Sequence, residues 1–145
     1  MTVKFKKLSE NAICPSYGTE FSAGADLYAL NESDIVINPG ETVLVHTGIA
    51  VEIPVGYVGL IYARSGLATK KGLAPANKVG VIDADYRGEL MVALYNQSGV
   101  ARTVSNGERI AQLVIAPFLK AEFEETDELT DTVRGEGGFG STGNK

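Results

Sequence analysis

Two stretches of the chain place charged and hydroxyl side chains where chemistry on a phosphate could use them. In ARSGLA (63–68), Arg64 offers a planar fork of N–H donors and Ser65 a hydroxyl, with Gly66 beside them. A guanidinium fork matches phosphate oxygens two at a time, and N–H groups at the start of a following helix also attract anions. Ser65 could equally be no more than the helix cap. In NKVGVIDADYRGEL (77–90), the apolar run VGVI leads straight into Asp83, Asp85, Tyr86, Arg87 and Gly88. Asp83 is either a turn aspartate or a general base that orients water. Tyr86 is either a cross-strand packing residue or a flat platform beneath a sugar.

Three further islands carry weaker signals. Asp26 in AGADLYA (23–29) is a lone carboxylate among small residues, suited to a turn after a bend at Gly24 or to a metal contact. Gln112 in GERIAQL (107–113) is polar within an apolar run, and its alternation sets it outward, whereas Arg109 reads as half of a structural pair. The chain ends on RGEGGFGSTG (134–143), in which Arg134 could meet a terminal phosphate, Phe139 a ring, and Ser141 and Thr142 an anion. Five of the last twelve residues are glycine. That composition fits a frayed tail, or a strap whose backbone, Gly138 included, can approach a ligand closely.

No rival constellation is present. His46 is the only histidine and sits inside the strand pattern TVLVHTGIAV. The chain has no Walker lysine motif, no dinucleotide glycine fingerprint and no His/Cys zinc spacing. Cys14, the single cysteine, has no partner for a disulfide and reads as a small packing residue in a reducing compartment.

The elements that must position these residues are short strands. Apolar runs rich in Val, Ile and Tyr recur at TVKF, DIVI, TVLVHTGIAVEI, YVGLIYA, KVGVI, ELMVALYN and RIAQLVIAPFL, separated by turns such as NPG, PVG, NQSG and SNGE. That pattern predicts a single all-β domain: a sandwich, jelly roll or barrel. One short helix is expected in RSGLATKKG, capped by Ser65, with Lys70 and Lys71 at its C-terminal end and Gly72 as its stop. The segment 77–90 has the syntax of a hairpin with acidic residues at its turn.

At 145 residues and 44% hydrophobic, the chain can bury a core without disulfides. A net charge of −5 disfavours a nucleic-acid surface, although six of the acidic residues lie in 121–131, leaving the rest near neutral. That stretch reads as a solvated connector from a β body, residues 1–133, to a glycine-rich arm, residues 134–145. No continuous apolar segment suggests a signal peptide or a membrane span, so a soluble cytoplasmic protein is expected. An antiparallel β-protein of this size offers shallow surfaces, and its sites often form where subunits meet.

Taken in order, the five islands resemble the trimeric dUTPase family, over about Ala23 to Gly143. Each motif alone is weak; five in the family's order, ending in RGEGGFGSTG, are specific. The resemblance implies a β-jelly-roll protomer with one short helix and a flexible C-terminal arm. It also implies a homotrimer with shared sites and Mg²⁺-assisted hydrolysis of dUTP to dUMP and pyrophosphate. Asn77 and the backbone of Gly80, Val81 and Ile82 would read uracil, and Tyr86 would pack under the deoxyribose. Asp83 would activate the water that attacks the α-phosphorus. Arg64, Ser65, Gly66 and Gln112 would bind the triphosphate, and Asp26 would face the metal through its water shell. Arg134, Gly138, Ser141 and Thr142 would clasp the γ-phosphate while Phe139 stacks over the base. Ala63 stands where the family more often has Pro or Gly, and Lys78 receives no role.

Two alternatives belong to other classes. A dCTP deaminase shares the fold but needs a catalytic glutamate near the base, and Glu89 is the only acidic residue close by. A nucleotide-responsive regulatory protein would keep the binding residues with hydrolysis secondary.

Overall fold

In the computed structural model, residues 1–138 are described, and they form an all-β fold of eleven strands and one helical turn. Five strands make one sheet in the order β2 (Ser16–Tyr17), β3 (Ala25–Tyr28), β11 (Arg109–Pro117), β6 (Tyr57–Tyr62) and β8 (Val79–Ile82). Four make a second sheet: β1 (Lys4–Lys7), β5 (Thr42–Glu52), β9 (Glu89–Asn96) and β7 (Leu73–Pro75). A two-stranded sheet pairs β10 (Arg102–Val104) with β4 (Ile35–Ile37). All pairings are antiparallel.

The period-2 pattern of the sequence explains the core. Along β9, Leu90, Val92, Leu94 and Asn96 are buried while Glu89, Met91, Ala93 and Tyr95 are half-exposed. Leu27, Ile37, Val45, Ile61, Ile110 and Leu113 from the other strands join them in one cluster. The turns use the expected residues: Gly40, Gly56 and Gly107 all take positive φ, which glycine adopts without strain.

Asn96 is the polar exception inside that cluster. Fully buried, it donates to the carbonyls of Ile37 (2.9 Å) and Val100 (2.8 Å), and its oxygen accepts from the N–H and hydroxyl of Ser98. It ties β4, β9 and the 97–100 turn together. Asn96→Ala would remove four hydrogen bonds, two of them donated to the Ile37 and Val100 carbonyls, so a loss of about 2–3 kcal/mol is expected in chemical denaturation.

Two expectations need correction. Residues 77–90 are not a hairpin. β8 pairs with β6 in the five-stranded sheet, whereas β9 pairs with β5 and β7 in the other. The 83–88 segment is therefore a corner where the chain changes sheets, as sandwiches require. The helix runs Leu67–Lys71 as a π-turn after Gly66, without a side-chain cap. Ser65 contributes its carbonyl instead, accepting from the Thr69 hydroxyl at 2.7 Å. Lys70 and Lys71 do close the helix, and Gly72 stops it at φ 69°.

Candidate active site

The sequence-derived residues fall into two groups, and the fold holds them apart. The first lines a cavity of about 440 Å³ beside β3, β11 and the start of the helical turn. Asp26, Arg64, Ser65, Gly66 and Gln112 all border it, together with Arg109. Asp26 is not in a turn; it lies in β3 and is only 8% exposed. Arg64 Nε donates to its Oδ1 at 2.7 Å and Arg109 Nη1 to its Oδ2 at 3.2 Å. One buried carboxylate thus fixes two guanidinium groups at one wall of the cavity, each with further N–H donors beyond the one it uses. The arrangement suits an anion of several oxygens.

Gln112 reaches the same wall. Its Nε2 donates to the Ala63 carbonyl at 2.8 Å, which fixes the amide and leaves a second N–H. Gly24 makes this possible, because a Cβ there would collide with the Gln112 carboxamide. In a regular strand residues three apart face opposite ways. A register shift against β3 between Arg109 and Ala111 lets Arg109 and Gln112 line one cavity. No alternation in GERIAQL reveals that bulge, and so Arg109 reads from sequence as a structural partner alone.

The second group surrounds a smaller cavity of about 230 Å³ bordered by Val81, Ile82, Asp83 and Tyr86, with Leu44 and Met91 behind. Asp83 is exposed at the end of β8, and its carbonyl accepts the Tyr86 N–H at 3.1 Å, closing the turn. Arg87 braces the same turn through the carbonyls of Ala84 and Tyr86, at 2.7 and 2.9 Å. Asn77 and Gly80 do not border this cavity; they sit toward the opposite end of β8. A Cβ on Gly80 would meet Ile61 at 3.2 Å and the Asn77 amide at 3.5 Å. Lys78, beside them, holds φ 66°, the one described non-glycine residue with positive φ.

The β6–β8 register measures the separation. Gly59 pairs with Ile82 and Tyr62 with Val79. Asp83 therefore lies past one end of the ladder and Arg64 past the other, on the order of 20 Å apart at ~3.3 Å per residue. One phosphorus atom cannot face both within a single chain.

Glu89 begins β9 and also borders the second cavity, but its carboxylate is bound to β5. Its Oε1 accepts the N–H groups of Thr47 (3.2 Å) and Gly48 (2.7 Å), and its Oε2 lies 2.9 Å from His46 Nδ1. Burial pushes its pKa up, but the His46 hydrogen bond and charge and the two backbone donors together bring it below the ordinary glutamate value. A carboxyl whose pKa is lowered by folding stabilises above its unfolded pKa and loses that contribution as pH falls through the folded one. The denaturation midpoint is thus expected to drop in acid below the ordinary glutamate range, and Glu89→Gln should flatten that limb.

Of the arm, Arg134 and Gly138 lie within the described residues; Phe139, Ser141 and Thr142 lie outside them. Arg134 Nε donates to the Gly137 carbonyl at 2.8 Å, and Gly135 takes φ 52° in the turn between them. The acidic connector is exposed and without regular structure, as expected. It and its flanks also expose Leu119, Phe123, Leu129 and Val133 almost completely.

Among the described residues no three His, Cys, Asp or Glu side chains converge as a ligand set. Both oxygens of Asp26 are already engaged by arginines. These donors fit a hydrated divalent ion carried in on phosphate oxygens, and do not fit a metal caged by protein. No described helix is long and apolar enough to cross a membrane.

Comparison with known proteins agrees with this geometry. The dUTPase family model matches residues 10–143. A deoxyuridine 5'-triphosphate nucleotidohydrolase of Nautilia profundicola is 51% identical, with 99% of each chain covered. One from Hydrogenobaculum sp. is also 51% identical, with all of each chain covered. The structure of the Staphylococcus bacteriophage 80alpha dUTPase with dUPNHPP superposes with a TM-score of 0.89 at 33% identity, covering 98% of each chain. With the family model and full-length relatives matched over the whole stretch that holds Asp26, Arg64, Asp83 and Gln112, the chain belongs to the dUTPase family.

Proposed function

We propose that this protein hydrolyses dUTP to dUMP and pyrophosphate, with Asp83 as general base for the water that attacks the α-phosphorus. The observation that carries the reading is the pairing of a two-arginine phosphate wall with a small cavity at which Asp83 and Tyr86 meet. Phosphoryl transfer asks mainly for positioning and charge stabilisation. Arg64 and Gln112 supply the donors, with Arg109 beside them, and Asp26 fixes the two guanidinium groups. Asp83 is exposed and free of side-chain partners among the described residues, so its carboxylate can take a proton from water. Asn77 and the β8 backbone from Gly80 to Ile82 recognise the uracil edge, and Tyr86 packs against the deoxyribose.

The family uses a divalent metal, and Mg²⁺ suits the donor set, held by the triphosphate with Asp26 facing its water shell. Bound there, it neutralises phosphate charge. Asp26→Asn should raise KM for dUTP about tenfold or more, since an unfixed Arg64 can misplace the phosphates.

The assembly is a homotrimer in which one subunit supplies the Asp83 side of a site and a neighbour the Arg64 side. The 20 Å-scale separation within one chain supports this, as do the exposed apolar side chains of the connector, which a neighbouring copy would cover. Residues 134–145 act as an arm over the body formed by 1–133, with Arg134, Gly138, Ser141 and Thr142 on the γ-phosphate and Phe139 on the base. The protein works in the cytoplasm, without nucleic acid or membrane.

Deamination is disfavoured by one observation: the Glu89 carboxylate is committed to β5. The test is to offer dUTP, dCTP, dTTP and UTP with Mg²⁺ and identify the products. dUTP should be strongly preferred and yield dUMP with pyrophosphate. Uracil products from dCTP, or no preference for dUTP, would refute the reading.

A further inference from the structure

Glu89 has no part in the chemistry described above, yet three parts of the fold meet on it. β5 and β9 fall out of register between the pairs His46–Met91 and Ala50–Glu89, so β5 carries two extra residues there. Gly48 sits in this bulge at φ 67°, and any side chain on it would strike Leu30 and Ala12. A bulge leaves ladder donors unpaired, and here Glu89 Oε1 accepts two of them, from Thr47 and Gly48. His46 Nδ1 holds the other oxygen. The Thr47 hydroxyl closes the arrangement by donating to the Leu90 carbonyl at 2.6 Å.

The backbone of the same residue faces the site. The Glu89 carbonyl accepts the Tyr86 hydroxyl at 2.9 Å. Gly88 lets the ring lie back along the turn, because a Cβ there would collide with it. With its hydroxyl proton committed to Glu89, Tyr86 presents a sugar with ring carbon and no free hydrogen-bond donor. A 2′-hydroxyl would be rejected by shape and by desolvation, and such rejection depends on where the ring sits.

We infer that Glu89 is a positioning residue for sugar recognition: its carboxylate anchors the 83–88 turn to the β5 bulge, and its carbonyl fixes the Tyr86 ring. The inference rests on the reading of Tyr86 as the sugar platform. Glu89 touches no reacting atom. It sets how narrowly the site accepts 2′-deoxyribose over ribose.

The test compares kcat and KM for dUTP and UTP in wild type, Glu89→Ala and Glu89→Gln, with native mass and melting confirming the fold. Glu89→Ala should lower the dUTP-to-UTP ratio of kcat/KM about tenfold, the loss of roughly one charge-assisted hydrogen bond. The change should appear mainly in KM for dUTP, with kcat within about threefold. Glu89→Gln keeps an acceptor for the two N–H groups and should restore the ratio to within about threefold of wild type. A folded Glu89→Ala with an unchanged ratio overturns the inference, as does an equal loss on both nucleotides in both variants. Should Glu89→Ala fail to fold, His46→Ala decides: a fall in the ratio supports the anchor and an unchanged ratio overturns it. A wild type that does not turn over dUTP refutes the underlying site reading, whereas a selective wild type with an indifferent Glu89→Ala refutes the anchor alone.

Discussion

Asp83→Asn is expected to lower kcat for dUTP by about a thousandfold, within the range that a positioned general base contributes. The substitution is nearly isosteric at an exposed position. The turn is closed by the Asp83 backbone carbonyl, so the melting temperature should stay within a few degrees and KM should change little. Loss of kcat at constant KM marks a group that acts in the transition state. The same variant also tests the division of the site. Refolding Asp83→Asn together with Arg64→Ala should regain activity that neither variant has alone, because in the proposed trimer mixed assemblies would contain some sites with both residues intact. A site built within one chain would show no such recovery, and the β6–β8 register argues against one.

Removing residues 134–145 should also cost activity, by another route. Among the described residues, the buried cluster is drawn from Ala12 to Leu113 and takes nothing from 134–138. The shortened protein should therefore fold and assemble as the full chain does. Its kcat/KM for dUTP should nevertheless fall about a hundredfold or more, since the proposed closure would exclude bulk water and hold the phosphates in line. Arg134→Ala within the full chain should give a smaller loss in the same direction. An arm that can be deleted without effect would return RGEGGFGSTG to the status of a frayed tail.

How much of this was legible beforehand follows from what sequence can and cannot encode. The long strands β5, β9 and β11 were marked by their apolar runs and by turns at Asn38–Gly40 and Ser105–Glu108. β1, β4 and β8 are as short but stand out as β-branched or aromatic runs (TVKF, DIVI, KVGVI), whereas β2, β3, β7 and β10 have two to four residues and no such run. ADLY in particular reads as a turn, yet its aspartate is buried in β3 between two arginines.

The site residues themselves were found by type and order, while their grouping was not. Whether 77–90 is a hairpin or a corner depends on the partners of β8 and β9, and those lie far away in sequence. Arg109 and Gln112 share a cavity only through a bulge, a backbone irregularity that leaves no mark in GERIAQL. Glu89 likewise looks like the first residue of a returning strand, and its commitment to the Thr47–Gly48 bulge is a long-range event.

The central claim is that water, activated at Asp83, attacks the α-phosphorus of dUTP. Hydrolysis in ¹⁸O-labelled water with Mg²⁺, followed by mass analysis of both products, tests it directly. The label should appear in dUMP and be absent from pyrophosphate. Label in pyrophosphate, or release of inorganic phosphate in its place, would contradict the account.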